Sequence, residues 1–470
     1  MKKKQKPGNG NMEKKKSKQT QVKISNIKPT NDILSGRGGL SFFTRYFKRI
    51  NILNQLTNAF NGLRKSNKGM SIKKIVSQFI YNVVDGTKHT MTRFDELKND
   101  AGYLAVTETR KDESVSSHTM KRFFKAVKEN MTTKLQDILL KMFIWRLKIK
   151  KPELIIIGAD TMVLNNNDAQ KREGVSPTYK KIKGYHPVLM YWGRMVINMA
   201  FHKGKEHHNT NNDFFNMVRK TIAKIRDEYN PKVPIIIVSD AGFYDQKYFK
   251  LADEENFFFI CGGKLMDSVK LRIMLQNTDK LNEYEIKDIL YEILDFEDKR
   301  ESWKKAYRAL YYRQIDKNEQ IYFEFDRPET LIYTNLSDEN KLKELGLEKF
   351  LNAKEIVSLY QMRARDEIVN RVLKEFVDET LPFKKMLPNK AYYFLSVIAN
   401  NLMVTFQEDV TYGVVSPMSY PNTLRRLFFD VAAKITSTGH SVFLCFERNL
   451  FNHLKLPDIW NKCQNPPVFA

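Results

Sequence analysis

Three cysteines in 470 residues, Cys261, Cys445 and Cys463, lie far apart and form no Cys-x-x-Cys pair. That scarcity excludes a disulfide framework and a cysteine zinc site, and the three are read as buried thiols of a reducing compartment. Long apolar runs are missing too. No stretch approaches the roughly 18 residues of a membrane span, and the lysine-rich start has no apolar stretch after it of the kind a secretion signal carries. A soluble, cytoplasmic chain without a membrane partner is expected. Histidine is scarce, and although His202, His207 and His208 cluster in "FHKGKEHHN", no further ligand is spaced with them to complete a metal site. Acid is short relative to base. Asp and Glu total 54 against 79 Lys and Arg, a net charge of +25, which favours a polyanion such as nucleic acid over a neutral small substrate. An anionic membrane surface is the competing partner.

What is present is enough for two or three domains, since 42% of residues are hydrophobic. Residues 1–28 hold ten lysines and one glutamate with almost nothing apolar, so 1–35 is read as a disordered basic tail. From 36 to 150 the apolar spacing is mainly helical, and this region is read as a helical N-terminal DNA-binding domain. Within it "SSHTMKRFFKAVKEN" offers Ser116 or Ser117 as the cap of a basic, aromatic helix that suits either DNA or plain solvent. After Pro152 the pattern changes. "ELIIIGAD" and "VPIIIVSD" are buried strands ending in Asp160 and Asp240, and "HPVLMYWGRMVINMAFHKG" is a hairpin about Gly193-Arg194. With the helices "NDFFNMVRKTIAKIRDEY" and "YDQKYFKLADEEN" and the strand "FFFICGG", the order is β-β-β-α-β-α-β. Strand-like text in "RALYYRQ", "QIYFEFD" and "TLIYTNL" makes residues 265–345 a β-rich insertion, too long for a loop. It holds Trp303, read either as a base-stacking residue or as a core aromatic.

Asp160 and Asp240 each close a strand, where side chains emerge at the carboxyl edge of a sheet and ligands bind. Each could equally start a turn or cap a helix. Asp168, in the Asn-rich loop "TMVLNNND", is a rival to Asp160. Further on, "EIVSLYQMRARDEIVNRVLKEF" reads as one amphipathic helix over 355–376. At about 100° per residue, Tyr360, Arg363, Glu367 and Lys374 fall on one stripe opposite an apolar face of Ile368, Val369, Val372, Leu373 and Phe376, which the helix is expected to bury. A solvated face would look the same. With Glu367 beside the two aspartates, however, three carboxylates make a hard-oxygen site suited to two Mg²⁺ ions roughly 3.5–4 Å apart, and so to phosphodiester chemistry.

These residues resemble the DDE transposases of bacterial insertion sequences. One subgroup carries a Tyr-(2)-Arg-(3)-Glu-(6)-Lys signature, which Tyr360, Arg363, Glu367 and Lys374 match residue for residue. Even a relaxed match is expected only about 0.07 times in a chain of this composition. "SDAGFYD" around Asp240 and "GYHPVLMYWG" also resemble family segments. The resemblance implies an α/β fold: a ribonuclease-H-like catalytic core over 151–264 and 346–410, interrupted by the insertion and followed by a C-terminal region, 411–470. It implies a catalytic, metal-holding triad of Asp160, Asp240 and Glu367, two Mg²⁺ ions with Mn²⁺ as a substitute, and DNA contacts from Tyr360, Arg363 and Lys374. The implied partners are double-stranded DNA, as terminal inverted repeats and target, and a second copy in a synaptic homodimer. A nucleoid-associated enzyme that cuts and joins DNA is expected. The alternatives are a host-adapted metal-dependent nuclease and a non-catalytic DNA-binding protein of the same fold.

Overall fold

The computed structural model describes residue 24 and residues 26–469, apart from 67, 208, 267–268, 271–280, 302 and 316–328. Most of the basic tail, His208 and the expected strand "QIYFEFD" therefore lie outside the described residues. After a short strand β1 (Ile33–Ser35), seven helices follow: α1 (Leu40–Arg49), α2 (Ile52–Ala59), α3 (Ile72–Asp85), α4 (Arg93–Leu97), α5 (Ala101–Val106), α6 (Ser117–Lys125) and α7 (Glu129–Lys150). Their ends are written locally. Ser71 and Ser116 start α3 and α6 by accepting the N–H groups of Lys74 and Thr119, which satisfies donors that a helix N-terminus otherwise leaves bare. Lys151 ends α7 in the left-handed region (φ 46°), and Pro152 prevents its continuation.

The sheet strands then begin with β2 (Ile155–Thr161). A small three-stranded sheet, unforeseen in the sequence, comes next from β3 (Leu164–Asn165), β4 (Ser176–Pro177) and β5 (Lys183–Tyr185). The expected hairpin is β6 (Val188–Trp192) and β7 (Met195–Ala200), turning at Gly193 with φ +59°. Helix α8 (Asp213–Glu228), β8 (Ile235–Ser239), α9 (Gln246–Glu254) and β9 (Phe258–Gly262) complete the expected order. Four more strands, β10 (Asn282–Ile286), β11 (Ile289–Asp298), β12 (Tyr307–Ile315) and β13 (Thr330–Thr334), lie within 265–345. They extend the same sheet, with β13 pairing antiparallel to β9. Among the described residues the nine strands run β10-β11-β12-β13-β9-β8-β2-β6-β7, and β2, β8 and β9 are mutually parallel while all other neighbours are antiparallel. The molecule is thus mixed α/β around one large mixed sheet.

Strand alternation gives the sheet two faces. Ile155, Ile157, Ile235 and Ile237 belong to one hydrophobic cluster that also takes in the N-terminal helices and a long helix α13 (Met386–Phe406). Apolar on nearly every side, α13 is buried along almost its whole length, as such a helix must be. Rings from α3 and α6, Phe79 and Phe124, meet Tyr392 on it at 5.2 and 5.6 Å. On the other face Ile236, Val238 and Ile260 pack with Ile356 and Val357. These last two belong to α11 (Ala353–Gln361), which follows α10 (Glu339–Glu344) and precedes α12 (Ala364–Phe376).

The chain closes with α14 (Pro421–Leu424), a hairpin of β14 (Ala433–Thr438) and β15 (Ser441–Cys445) that pairs with β1, and α15 (Arg448–His453) and α16 (Leu456–Gln464). Cys261 and Cys463 are buried as expected, but Cys445 is exposed, because β15 is the outer strand of a thin sheet that lies open to solvent. No helix among the described residues is long and apolar enough to cross a membrane.

Candidate active site

The register of β2 and β8 builds the centre of the site. These neighbouring parallel strands pair Ala159 with Ser239, so the next residue on each, Asp160 and Asp240, stands side by side at the carboxyl edge, about 4.8 Å apart in backbone terms. Both share the face of Ile156, Ile236 and Val238, the face that α11 covers. Asp168 sits instead in an exposed turn, Asn167–Ala169. Asp160 is buried. Its Oδ1 accepts the Thr161 N–H at 2.7 Å and its Oδ2 the Asn370 side-chain amide at 3.0 Å; the Tyr191 hydroxyl in turn donates to Asn370. Burial first, and then the charge of Asp240, push its carboxyl up to about 6, against the pull of the Thr161 N–H and of Arg363. Asp240 Oδ1 accepts the Gly242 N–H at 2.8 Å, while Oδ2 faces Arg363 Nη1 at 3.9 Å.

The expected single helix over 355–376 is two helices. Between Gln361 and Ala364 the hydrogen bonds tighten: Arg363 N–H bonds to the Tyr360 carbonyl and Asp366 N–H to that of Arg363, at 3.0 and 2.8 Å. Such i→i−3 bonding winds the chain more tightly than an α-helix, so one uniform wheel cannot describe the stripe; Val369, Val372, Leu373 and Phe376 are buried as expected, but Ile368 is exposed. Tyr360, at the end of α11, lays its hydroxyl over Gly262 at the end of β9. Arg363 stacks on the Tyr360 ring at 5.6 Å and leans towards Asp240. Burial opposes its charge, but Tyr360, Asp240, Asp160 and Glu367 outweigh burial and raise its pKa.

Glu367 lies in the first turn of α12, and its charge is felt at Asp160 and Arg363. Lys374, two turns on, points to a different partner: its Nζ donates to Glu379 at 3.0 Å, and Glu379 also accepts the Asn165 N–H. Four of the expected residues therefore gather at the carboxyl edge, Glu367 joins them electrostatically, and Lys374 is held aside. Among the described residues no group of three or more His, Cys, Asp or Glu side chains is close enough to hold a metal ion.

Two further residues belong to the cleft. Asp366 is buried against the backbone of Gly158, where an added Cβ would come within 2.1 Å of the Asp366 carboxylate. Burial and then Asp160 raise the Asp366 carboxyl to about 7. The signal for this approach was Gly158 itself, the one residue without a side chain in the apolar run that leads to Asp160. Asn370, which holds Asp160, had no signal beyond its place one turn after Glu367. Beside them a cavity of about 290 Å³ opens between β6, β7 and the α11–α12 junction, lined by Tyr191, Arg194, Arg363 and Asp366 among others.

The base-stacking assignment of Trp303 is corrected. Its ring is buried among Phe249, Tyr307 and Tyr333 at 5.3–5.7 Å, with the Arg300 guanidinium above it, which leaves no face for a base. His202 is also structural, buried with Nε2 2.9 Å from Asp213.

Acidic side chains at the carboxyl edge of adjacent parallel strands, faced by a helix junction that brings an arginine and further acids, define a carboxylate-centred α/β protein of the DDE class. The chain belongs to the family described as transposase DDE domain, group 1, whose pattern matches residues 17–465. The synaptic complex of piggyBac transposase with hairpin DNA, solved by cryo-EM, is similar at 12% identity and a TM-score of 0.40, over 83% of this chain and 79% of that one. No curated protein matches the sequence.

Proposed function

We propose that this chain is the transposase of a bacterial insertion sequence: it binds the terminal inverted repeats of its element, cleaves DNA there and joins the freed 3′-OH to target DNA by two-metal phosphoryl transfer. The carrying observation is that Asp160 and Asp240 follow directly on the last paired residues, Ala159 and Ser239, of neighbouring parallel strands, in a chain matched almost end to end by the DDE transposase family. The strand order β7-β6-β2-β8-β9, with β2, β8 and β9 parallel, supports a ribonuclease-H-like core over 151–264 and 346–410, into which 265–345 is inserted.

The donor set suits a hard divalent cation: Asp160, Asp240 and Glu367 offer carboxylate oxygens only, without sulfur or imidazole. Drawn closer together than they stand in the structure, these three would hold Mg²⁺, which when bound would activate an attacking oxygen and stabilise a leaving one. The chain's own groups do the positioning. Asn370 fixes one oxygen of Asp160 and so the direction of the other. Arg363, stacked on Tyr360, presents a planar fork suited to a phosphate of the DNA end. Lys374 would reach a phosphate by leaving Glu379. A homodimer would pair the two ends.

Asp160→Ala, Asp240→Ala and Glu367→Ala should each abolish Mg²⁺-dependent nicking of a terminal-repeat duplex while gel-shift binding stays near that of the parent, because these groups serve chemistry more than docking. Full cleavage by Asp160→Ala would move the first-ligand role to Asp168 or end the metal-site proposal.

A further inference from the structure

Nine of the chain's lysines and arginines fall in two short segments, five in residues 62–74 and four in 117–128, and neither segment contains an Asp or a Glu. The fold brings these segments together. Phe123 of α6 meets Phe60 at 4.8 Å, and Lys128 Nζ donates to the Gly62 carbonyl at 3.2 Å. Between them lies a cleft of about 290 Å³ with an apolar floor of Leu63, Met70 and Phe123 and a rim carrying Arg64, Lys68 and Arg122. Arg64 is braced from its side, donating to the Met70 carbonyl at 2.5 Å. Lys68 and Arg122 are exposed, and among the described residues their side chains take part in no hydrogen bond or ion pair.

Elsewhere in the helical layer several surface cations have acidic partners. Arg45 and Lys48 share Glu108, Lys88 and Arg93 share Glu96, and Arg37 pairs with Asp85. Of the nine cations in the two segments only Lys74 is paired with an acid among the described residues, Glu113. Gathering like charges without counter-charge works against folding, and a ligand carrying the opposite sign relieves it. Duplex DNA carries one negative charge per roughly 1.7 Å of its axis, and its deoxyribose suits an apolar floor between cationic walls.

We infer that this cleft and the adjoining face of α6 form a docking surface for the phosphate backbone of duplex DNA, set apart from the carboxylate cleft and indifferent to base sequence. The inference rests on the transposase reading and adds to it a second surface. Backbone contacts fix orientation and register without carrying sequence information, so the surface would hold flanking or target DNA as readily as an element end.

The test uses the full chain and short fluorescent duplexes, one with the terminal repeat and one of arbitrary sequence, with binding measured across a salt series. Lys68→Gln combined with Arg122→Gln should flatten the slope of log K against log salt by about 0.9 for each phosphate no longer neutralised, equally on both duplexes. The charge-keeping pair Lys68→Arg with Arg122→Lys should leave the slope as it was, as should Lys343→Gln on the distant α10. Thermal melts confirm that the variants fold. An unchanged slope in the folded Gln pair overturns the inference. So does loss of binding to phosphatidylserine vesicles with DNA binding intact, since the surface would then face a membrane. If the parent chain still nicks its terminal repeat, only the second surface has failed; if the parent binds no duplex, the transposase reading falls with it.

Discussion

The side chain that separates an active site from an ordinary charged helix face is Arg363. Its guanidinium is held between the Tyr360 ring and Asp240, a position that costs desolvation and is wasted on a residue meant only for water. Arg363→Ala should remove a charge-assisted phosphate contact of about 1.5–3 kcal/mol, read as a roughly tenfold to hundredfold slower single-turnover cleavage. Arg363→Lys should recover part of that, because the ammonium keeps the charge and loses the fork. Lys354→Ala, at the start of α11, is the control, and equal rates for Arg363→Ala and Lys354→Ala would return the stripe to an ordinary surface. The two buried acids make a separate claim about pH. Asp160 and Asp366 are raised to about 6 and about 7 in the folded chain, above the unfolded value near 4. The folded state therefore holds more protons than the unfolded one between about pH 4 and pH 7, so stability is greatest at the acidic end of that window and falls as pH rises through it. In metal-free buffer the unfolding free energy from urea titrations should drop from pH 5 to pH 8, by an amount on the order of 4 kcal/mol, and Asp366→Asn should remove much of the drop.

Among the elements, the approach of α12 to β2 depends on Gly158, since any Cβ there would strike the Asp366 carboxylate. Gly158→Ala should cost about 1–3 kcal/mol as an overpacking change, and markedly less when combined with Asp366→Ala. Additive costs in denaturant unfolding would show that the two do not touch. Which elements could be read in the sequence follows from how locally each is determined. The strands β2 and β8 were legible because apolar runs opening on three isoleucines end in Asp160 and Asp240, and the register that makes those acids neighbours needed only the α/β order. Helix α6 was legible through Ser116. The hairpin of β10 and β11 was not: its two-residue turn is Lys287-Asp288, both at positive φ, a conformation usually written with Asn and Gly. The α11–α12 break was hidden as well, because Met362 and Arg363 are good helix formers and only the fit against Gly262 and Gly158 divides the helix there. For Trp303 the ring cage is drawn from α9, β12 and β13, contacts that no local pattern specifies.

At the scale of the whole molecule, one continuous cluster ties the N-terminal helices, the sheet and α13 together, and the burial of two thiols follows from that closure. Cys261, on β9, is pushed up to about 12 by burial, and Cys463, on α16, is pushed up by burial as well, so neither offers the thiolate that electrophiles need. Cys445 stands exposed on the outer strand β15. The native chain should take up a single maleimide equivalent per molecule, and three once unfolded in denaturant; more than one under native conditions would mean that the cluster opens. That leaves a ready-made attachment point for a fluorophore, far along the chain from the carboxylates. With a second dye on a DNA end, the distance between protein and end could be followed by energy transfer through each stage of the reaction, without introducing or removing a single cysteine.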